Sequence, residues 1–274
     1  MAPGALPDLS TPFALSDEAP RSYRRDGHVT LPGLASPGEI AAYRPALLDA
    51  AASAPQVPHK PLGERDTYGR AFLQMFSVWR QNEAAKAFVF SRRFARVAAE
   101  LMGVSGVRFY HDQALFKEPG GGITPWHQDQ FYWPLDTDHT ITLWMPLVPI
   151  TPEMGPMQFA SGSQELGHLG DFAIGDESQT RLGQVIEERR MRCTPVGTLA
   201  AGDATFHSGW TLHSAPPNET STMREAMTII YFADGTRVGP LDHANRRFDR
   251  DVWLPGCEPG EPAAGPFNPV LFSK

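Results

Sequence analysis

The first hundred residues carry apolar positions at helical spacing. The stretch SPGEIAAYRPALLDAAASA (36–54) is predicted to be a helix, because Ser36 can cap its start and Glu39 completes a capping box. The stretch NEAAKAFVFSRRFARVAAELMG (82–103) has the strongest helical periodicity and is predicted as one helix that ends at a glycine. A shorter helix is expected over 16–25, followed by a strand in HVTLPGL.

After Gly106 the pattern changes to short apolar or alternating runs separated by Gly and Pro. Such runs are typical of strands in a sandwich or barrel, and they are VRFYHDQALFK, TITLWMPLVPI, GPMQFAS, RCTPVGTL, DATFHSG and REAMTIIYF. One interruption, TRLGQVIEERR, is predicted to be helical, and the tail after Gly235 carries no clear pattern. We therefore expect a single domain over 1–274, mainly β with flanking helices, in which the Pro-rich residues 1–15 are loose.

The composition narrows the possible functions. Apolar residues make up 41% of the chain, enough for a sizeable core. The net charge of −7 argues against a nucleic-acid partner, so a small-molecule substrate fits better. Cys193 and Cys257 are too few for a disulfide framework or a four-thiolate zinc site. The start of the chain does not resemble a signal peptide, and no run reaches the roughly 18 apolar residues of a membrane span, so we expect no membrane partner and a cytoplasmic location. The composition does not indicate an oligomeric state.

The stretch PWHQDQFYWPLD, which starts at Pro125, places a histidine and an aspartate two residues apart among four aromatic rings. Alternate side chains of a strand point to the same face, so His127 and Asp129 can meet at one point. They would supply two ligands of a 2-His-1-carboxylate triad, which holds non-haem Fe(II) and leaves positions open. The spacing alone is a weak signal, and a hydrogen-bonded barrel histidine near a surface aspartate explains it equally well.

A third ligand would have to come from another strand. His207 and His213 in GDATFHSGWTLHSAPPN have the same parity, so alternation does not choose between them. Arg224 begins the strand REAMTIIYF eleven residues after His213, which favours His213 as the residue on the neighbouring segment. An arginine at the head of an apolar strand suits a carboxylate, because its guanidinium is a rigid fork of donors. The alternative is an edge arginine that reaches solvent.

These motifs, in this order, resemble the phytanoyl-CoA dioxygenase family of Fe(II)/2-oxoglutarate-dependent oxygenases. LFKEPGGGITPWHQD resembles the family's approach to its first histidine, and TLWMPLVPITPEMGPMQFASGSQE resembles its strand, turn and Gly-Ser element. GDATFHSGWTLHSAPPN resembles its distal-histidine segment. The match covers roughly 105–235, with a weaker one at YRRDGHVTLPGLAS. The resemblance implies a double-stranded β-helix (jelly-roll, cupin-like) core with iron inside one end.

The resemblance also implies the chemistry. It assigns the metal to His127, Asp129 and His213, and the distal carboxylate of 2-oxoglutarate to Arg224. The cofactors would be Fe(II), 2-oxoglutarate as co-substrate and O₂, with release of succinate and carbon dioxide. Related halogenases carry a small residue in place of the acidic ligand, so the presence of Asp129 favours hydroxylation, or a desaturation or ring closure by the same machinery.

Further residues are expected near the co-substrate. Trp144 falls where such enzymes place a tryptophan, although core packing explains it equally well, and Gln113 lies on the strand leading in. Lys117, on the same strand, is expected to be a solvated strand end. Family members often carry serine two residues after the distal histidine, whereas this chain has Ala215 there beside Ser214, which puts one hydrogen bond to the co-substrate in doubt.

The substrate side is predicted from ring positions. If the strand stays regular, Phe131 and Trp133 share the face of the metal ligands, where they could grip an apolar substrate. His111 could add a polar contact, and His207 would support the ligands. Core packing is the alternative for the two rings and for His111. We expect a small or medium apolar molecule, as in natural-product tailoring. Two other functions stay open: another metal-dependent enzyme on a similar scaffold, and a non-catalytic binding module.

Overall fold

The computed structural model describes residues 5–55 and 60–274. The strands are, in chain order, β1 His28–Leu31, β2 Leu73–Phe76, β3 Gly106–Lys117, β4 Thr124–His127, β5 Thr140–Pro146, β6 Gln158–Ala160, β7 Cys193–Pro195, β8 Ala204–Ser208, β9 His213–Ala215, β10 Arg224–Ala233 and β11 Val270–Ser273. The α-helices are α1 Glu18–Asp26, α2 Pro37–Ser53, α3 Glu83–Val89, α4 Arg92–Met102, α5 Asp176–Glu188 and α6 Ala244–Trp253.

The strands form two antiparallel sheets. The larger sheet has seven strands in the order β1-β8-β5-β10-β3-β11, and β2 also pairs with β3. The smaller sheet has four strands in the order β4-β9-β6-β7. This is the mainly β, jelly-roll architecture with flanking helices that the sequence predicted.

The central strands of the larger sheet are covered on both faces. Every residue of β5 is buried, as is every residue of β10 except the last, which explains their nearly continuous apolar sequences. On one face the main core packs between this sheet and the N-terminal helices, and Leu47, Phe88, Phe94 and Phe206 in it are fully buried. The other face turns toward the smaller sheet, and a cavity lies between them.

The predicted long helix over 82–103 is in fact two helices, α3 and α4. The break falls at Ser91, whose hydroxyl accepts a hydrogen bond from the backbone of Phe94 and donates one to the carbonyl of Leu9. A serine that caps a new helix competes with continuation of the old one, and apolar periodicity does not show this competition. The predicted capping box between Ser36 and Glu39 is present at the start of α2.

The prediction of a loose N-terminal segment is wrong for residues 5–15, while residues 1–4 lie outside the described residues. Residues 5–15 form no helix or strand, yet Leu9 is only 4% exposed and its carbonyl accepts a hydrogen bond from the backbone of Arg93. The Tyr43 hydroxyl donates to the carbonyl of Pro7. Packing against α2 and α4 therefore orders a stretch whose composition suggested none.

Two elements lie in the tail that had no clear pattern. The helix α6 covers the cavity, and β11 extends the larger sheet by pairing with β3. The helices predicted over 16–25 and in TRLGQVIEERR correspond to α1 and α5. Within residues 5–55 and 60–274, no helix has both the length and the apolar character needed to cross a bilayer.

Candidate active site

Two histidines lie side by side on neighbouring strands of the smaller sheet. His127 ends β4, His213 begins β9, and the two are direct partners in the antiparallel register, with ring centroids 4.0 Å apart. Asp129 follows in a short 3₁₀ turn, and its Oδ1 lies 3.6 Å from Nε2 of His127 and 3.7 Å from Nε2 of His213. One ligand atom from each residue lies within 4.8 Å of the others, so the structure brings together the three residues singled out in the sequence.

The backbone fixes which nitrogen of each histidine faces the aspartate. Nδ1 of His127 donates to the carbonyl of Pro125 at 2.8 Å, and Nδ1 of His213 donates to that of Thr211 at 2.9 Å. Burial and a neighbouring imidazole lower the pKa of His127 to about 3 and that of His213 to about 4. Both rings are therefore neutral and direct an Nε2 lone pair toward the shared point, which is the form that binds a metal.

The carboxylate of Asp129 is held on its far side. Its Oδ2 accepts hydrogen bonds from Oγ1 of Thr142 at 2.9 Å and from Nε2 of His207 at 3.3 Å, which leaves Oδ1 for a ligand. Burial by itself raises the pKa of Asp129. The neighbouring His213 and the hydrogen bond from His207 lower it by more, so the net pKa is below the ordinary value and the group is ionised. Two neutral imidazoles and one carboxylate fit Fe(II) with open coordination positions. His207 supports the carboxylate and is not part of the three-residue group.

The strand predicted to continue past the metal ligands ends at His127. The turn Asp129–Phe131 is a 3₁₀ helix, in which residues two apart do not share a face. Phe131 therefore points away from the cavity, and its ring stacks on that of His243 with centroids 4.5 Å apart. Trp133 does line the cavity, and so does Tyr132, which the alternating pattern had placed on the opposite face.

The cavity has a volume of about 290 Å³, and His127, Asp129 and His213 lie in its wall. Of the other residues predicted for the site, five line it: His111, Gln113, Trp133, Trp144 and Arg224. Sequence reasoning missed several more, including Tyr68, Gln74, Thr142 and Asp249. Thr142 precedes Trp144 by two residues on β5, so alternation could have revealed it, whereas Tyr68 and Asp249 come from distant segments without a local signal.

Arg224 is buried in the wall of the cavity, so the alternative of an edge arginine in solvent is wrong. The residue is 2% exposed, its Nη1 donates to the carbonyl of Gly155, and its Cζ lies 5.4 Å from the centre of the Trp144 ring. Its Nε has no hydrogen-bond partner, and no acidic side chain among the described residues pairs with it. Burial lowers its pKa to about 9, so it remains a cation at neutral pH. A buried cation without a counter-ion suits an acidic ligand.

Lys117 is not the solvated strand end that was expected. It is fully buried, stands opposite Arg224 in the register of β3 and β10, and its Nζ donates to the carbonyls of Gly122 and Pro216. The glycines after β3 let the chain fold back over it, since a Cβ at Gly121 would lie 2.9 Å from Cγ of Lys117. Burial and the charge of Arg224 lower the pKa of Lys117 to about 6. Residue type alone favoured exposure, but the glycine run reverses it.

The remaining predicted residues have clear neighbours. Gln113 accepts a hydrogen bond at its side-chain oxygen from Nε2 of Gln74. Ser214 accepts one from Nε2 of Gln158, and both Ser214 and Ala215 border the cavity. The ring of His111 stacks on that of Trp253 with centroids 4.7 Å apart.

The chain is similar to known proteins in sequence and in fold. The family model described as "Phytanoyl-CoA dioxygenase (PhyH)" matches residues 23–226. A probable alpha-ketoglutarate-dependent hypophosphite dioxygenase of Stutzerimonas stutzeri is 26% identical over 160 residues, covering 55% of this chain and 54% of that protein. The chain thus spans about half the length of that relative.

Two solved structures are similar over nearly the whole chain. The epimerase SnoN, crystallised with Fe³⁺, alpha ketoglutarate and nogalamycin RO, is 27% identical with a TM-score of 0.76, and the match covers 93% of this chain and 98% of SnoN. The alpha ketoglutarate-dependent carbocyclase SnoK from nogalamycin biosynthesis is 26% identical with a TM-score of 0.76, covering 97% and 99%. Since the family model alone matches well over half of the residues, the chain belongs to the phytanoyl-CoA dioxygenase family of Fe(II)/2-oxoglutarate-dependent oxygenases.

Proposed function

We propose that this protein is an Fe(II)- and 2-oxoglutarate-dependent dioxygenase that hydroxylates an unactivated C–H bond of a small or medium organic molecule. The observation that carries the proposal is the pairing, in one cavity, of a neutral-histidine and carboxylate triad with a buried arginine that has no acidic partner among the described residues. The triad can hold a metal and the arginine can hold an acid, so one cavity can take both.

Metal binding would fall to Nε2 of His127, Nε2 of His213 and Oδ1 of Asp129. When bound, Fe(II) would supply the activation of O₂ that the oxidation of a C–H bond needs, with 2-oxoglutarate converted to succinate and carbon dioxide. The protein keeps the ligands in place through the hydrogen bonds of Thr142 and His207 to the other carboxylate oxygen. Such outer hydrogen bonds stop the carboxylate from rotating and stabilise its ionised form.

The part of the cavity lined by Arg224 and Trp144 would hold 2-oxoglutarate. Arg224 would donate to the distal carboxylate through its free Nε and its terminal nitrogens, while the Trp144 ring covers one side. The serine expected two residues after the distal histidine is replaced by Ala215. Thr124 stands opposite Ala215 in the pairing of β4 with β9 and lines the cavity, so its hydroxyl could serve in place of that serine.

The outcome of the oxidation separates hydroxylation from a second candidate. SnoN and SnoK, each at least 26% identical over more than nine-tenths of this chain, are an epimerase and a carbocyclase. Their similarity favours epimerisation or ring closure as the alternative within the same chemistry. Retention of Asp129, which leaves no ligand position for a halide, argues against halogenation. Product mass distinguishes the two candidates, because hydroxylation adds one oxygen atom and epimerisation adds none.

The proposal is tested by loading the protein with Fe(II) under anaerobic conditions and titrating 2-oxoglutarate. We expect the visible charge-transfer absorption of an Fe(II)–2-oxo acid complex, followed in air by succinate formation that suitable organic substrates stimulate. A protein that binds Fe(II) but not 2-oxoglutarate would be another kind of metal enzyme. Binding of both without succinate formation across a broad substrate panel would support a non-catalytic module.

A further inference from the structure

The helix α6 presents one face to the cavity. Asn245, Phe248, Asp249 and Trp253 all line it, at the spacing of successive turns of a helix. Phe248 is 63% exposed and stands at the opening, whereas Asp249 is 7% exposed and lies within. The helix therefore places one carboxyl group inside a cavity whose other acidic group already belongs to the metal triad.

The carboxyl group of Asp249 has no counter-ion. Its Oδ2 accepts a hydrogen bond from the hydroxyl of Tyr110 at 3.2 Å, and it forms no ion pair within the described part of the chain. The three arginines of the same helix have other partners. Arg246 pairs with Asp242, Arg250 pairs with Glu258, and Arg247 donates to the carbonyl of Leu241. Burial raises the pKa of Asp249 to about 8, because no positive charge among the described residues compensates it, so the group is mostly protonated at pH 7 until a cation binds beside it.

Aromatic rings surround this end of the cavity. Phe76, Trp253, His111 and Trp133 line it and contact one another in that order, with centroids 5.9, 4.7 and 6.5 Å apart. His111 is not a hidden counter-ion, because burial lowers its pKa to about 3 and its ring is neutral. Its Nδ1 is buried and lacks a hydrogen-bond partner among the described residues. Ring faces beside a carboxylate are the elements of a site for an organic cation.

Each acidic or basic group of the cavity wall can be assigned to an occupant. Asp129 would bind the metal and Arg224 the co-substrate, so Asp249 is the one acidic group in the described wall that neither would use. We propose that the part of the cavity lined by α6 binds a cationic nitrogen of the organic substrate. A protonated amine would be held there between the Asp249 carboxylate and the aromatic rings. This inference rests on the proposed function, because it specifies the substrate class of the same cavity. Beside a neutral hydroxyl group the carboxyl group of Asp249 would stay protonated, whereas a bound cation would stabilise its ionised form.

The test uses protein loaded with Fe(II) and 2-oxoglutarate without oxygen, so that no turnover occurs. It is titrated with N-methylbenzylamine, which is protonated at pH 7, and with benzyl methyl ether, a neutral molecule of the same shape. Binding is followed by tryptophan fluorescence and by ligand-observed NMR. We expect the amine to bind at least about 10-fold more tightly than the ether, because a charge-assisted hydrogen bond and ring contacts act only on the cation. Equal affinities in the wild-type protein would overturn the proposal without the use of any variant.

Two matched variants locate the effect. Asp249→Asn should abolish the preference for the amine and leave the affinity for the ether unchanged. Asp251→Asn, at an exposed carboxylate on the same helix, should keep the preference. An amine preference that survives in Asp249→Asn would sink the assignment. The charge-transfer absorption of the Fe(II)–2-oxoglutarate complex is recorded in the same samples. If it is present while the amine preference is missing, only the cation subsite fails, and if it is absent, the proposed function fails.

Discussion

Replacing Arg224 by methionine should make the protein more stable and unable to bind 2-oxoglutarate. The two effects have one cause, a guanidinium buried without an acidic partner within the described chain, which costs folding free energy until the co-substrate arrives. Methionine has a similar length and keeps the packing against Trp144, but it carries no charge and no donor. The same substitution at Arg44, a partly exposed arginine paired with Glu225 at 2.6 Å, is the matched control.

The magnitudes follow from the surroundings of Arg224. A fall in its pKa from the ordinary value to about 9 corresponds to roughly 5 kcal/mol of burial cost on the charged form. Arg224→Met relieves this cost but also removes the hydrogen bond to the Gly155 carbonyl, which destabilises the variant by about 1–3 kcal/mol. The free energy of unfolding without ligands should therefore rise by about 2–4 kcal/mol. Two charge-assisted hydrogen bonds to 2-oxoglutarate contribute about 3–6 kcal/mol together, so its affinity should fall by at least about 100-fold.

Urea unfolding at pH 7, with and without Fe(II) and 2-oxoglutarate under anaerobic conditions, measures both effects. At 100 times the dissociation constant, the co-substrate should add about 2.7 kcal/mol to the unfolding free energy of the wild-type protein and of Arg44→Met. It should add no more than about 0.4 kcal/mol to that of Arg224→Met at the same concentration. A methionine variant that is less stable than the wild type, or that is stabilised by 2-oxoglutarate to the same extent, would refute the reasoning.

Three further changes test the site and its surroundings. Thr142→Val should weaken Fe(II) binding about 10-fold by removing a donor that orients Asp129. Thr205→Val, at a buried hydroxyl with no hydrogen-bond partner among the described residues, should not, and metal titration compares the two variants. His213→Ala should abolish stoichiometric metal binding, measured by elemental analysis, while circular dichroism stays that of the folded protein; a variant that binds metal normally would show that His213 is structural. For Lys117, the unfolded chain holds its proton up to about pH 10 and the folded protein releases it near pH 6, so stability rises with pH in this window. The unfolding free energy of the wild type minus that of Lys117→Met should therefore be about 2.6 kcal/mol more positive at pH 9 than at pH 7 in urea unfolding, and an equal difference at both would show that this lysine is not deprotonated.

The convergence of His127, Asp129 and His213 was implied by the family resemblance of the ordered motifs, because the His-x-Asp spacing alone left a hydrogen-bonded barrel histidine equally plausible. Each lies in or next to a short strand, and their segments are neighbours in the smaller sheet. The direction of Phe131 could not be predicted, because it depends on a 3₁₀ turn that begins just after the strand, and the local sequence shows only aromatic residues there.

Burial of charge was the feature that the sequence concealed most. The positions of Lys117 and Asp249 depend on coverage by a glycine-rich return of the chain and by a helix far along the sequence. Residue type predicts exposure for both, and only tertiary packing reverses it. The strands themselves, in contrast, followed from apolar runs that are local to each strand, and their jelly-roll arrangement was implied by the family resemblance.

The direct pairing of His127 with His213 makes the metal a clasp between neighbouring strands. The smaller sheet consists of strands of only three or four residues, which hold together weakly by themselves. Binding of iron would therefore also make the smaller sheet more rigid. Without iron, this sheet would be the more flexible wall of the cavity. The ion would therefore stabilise the smaller sheet as well as serve the reaction.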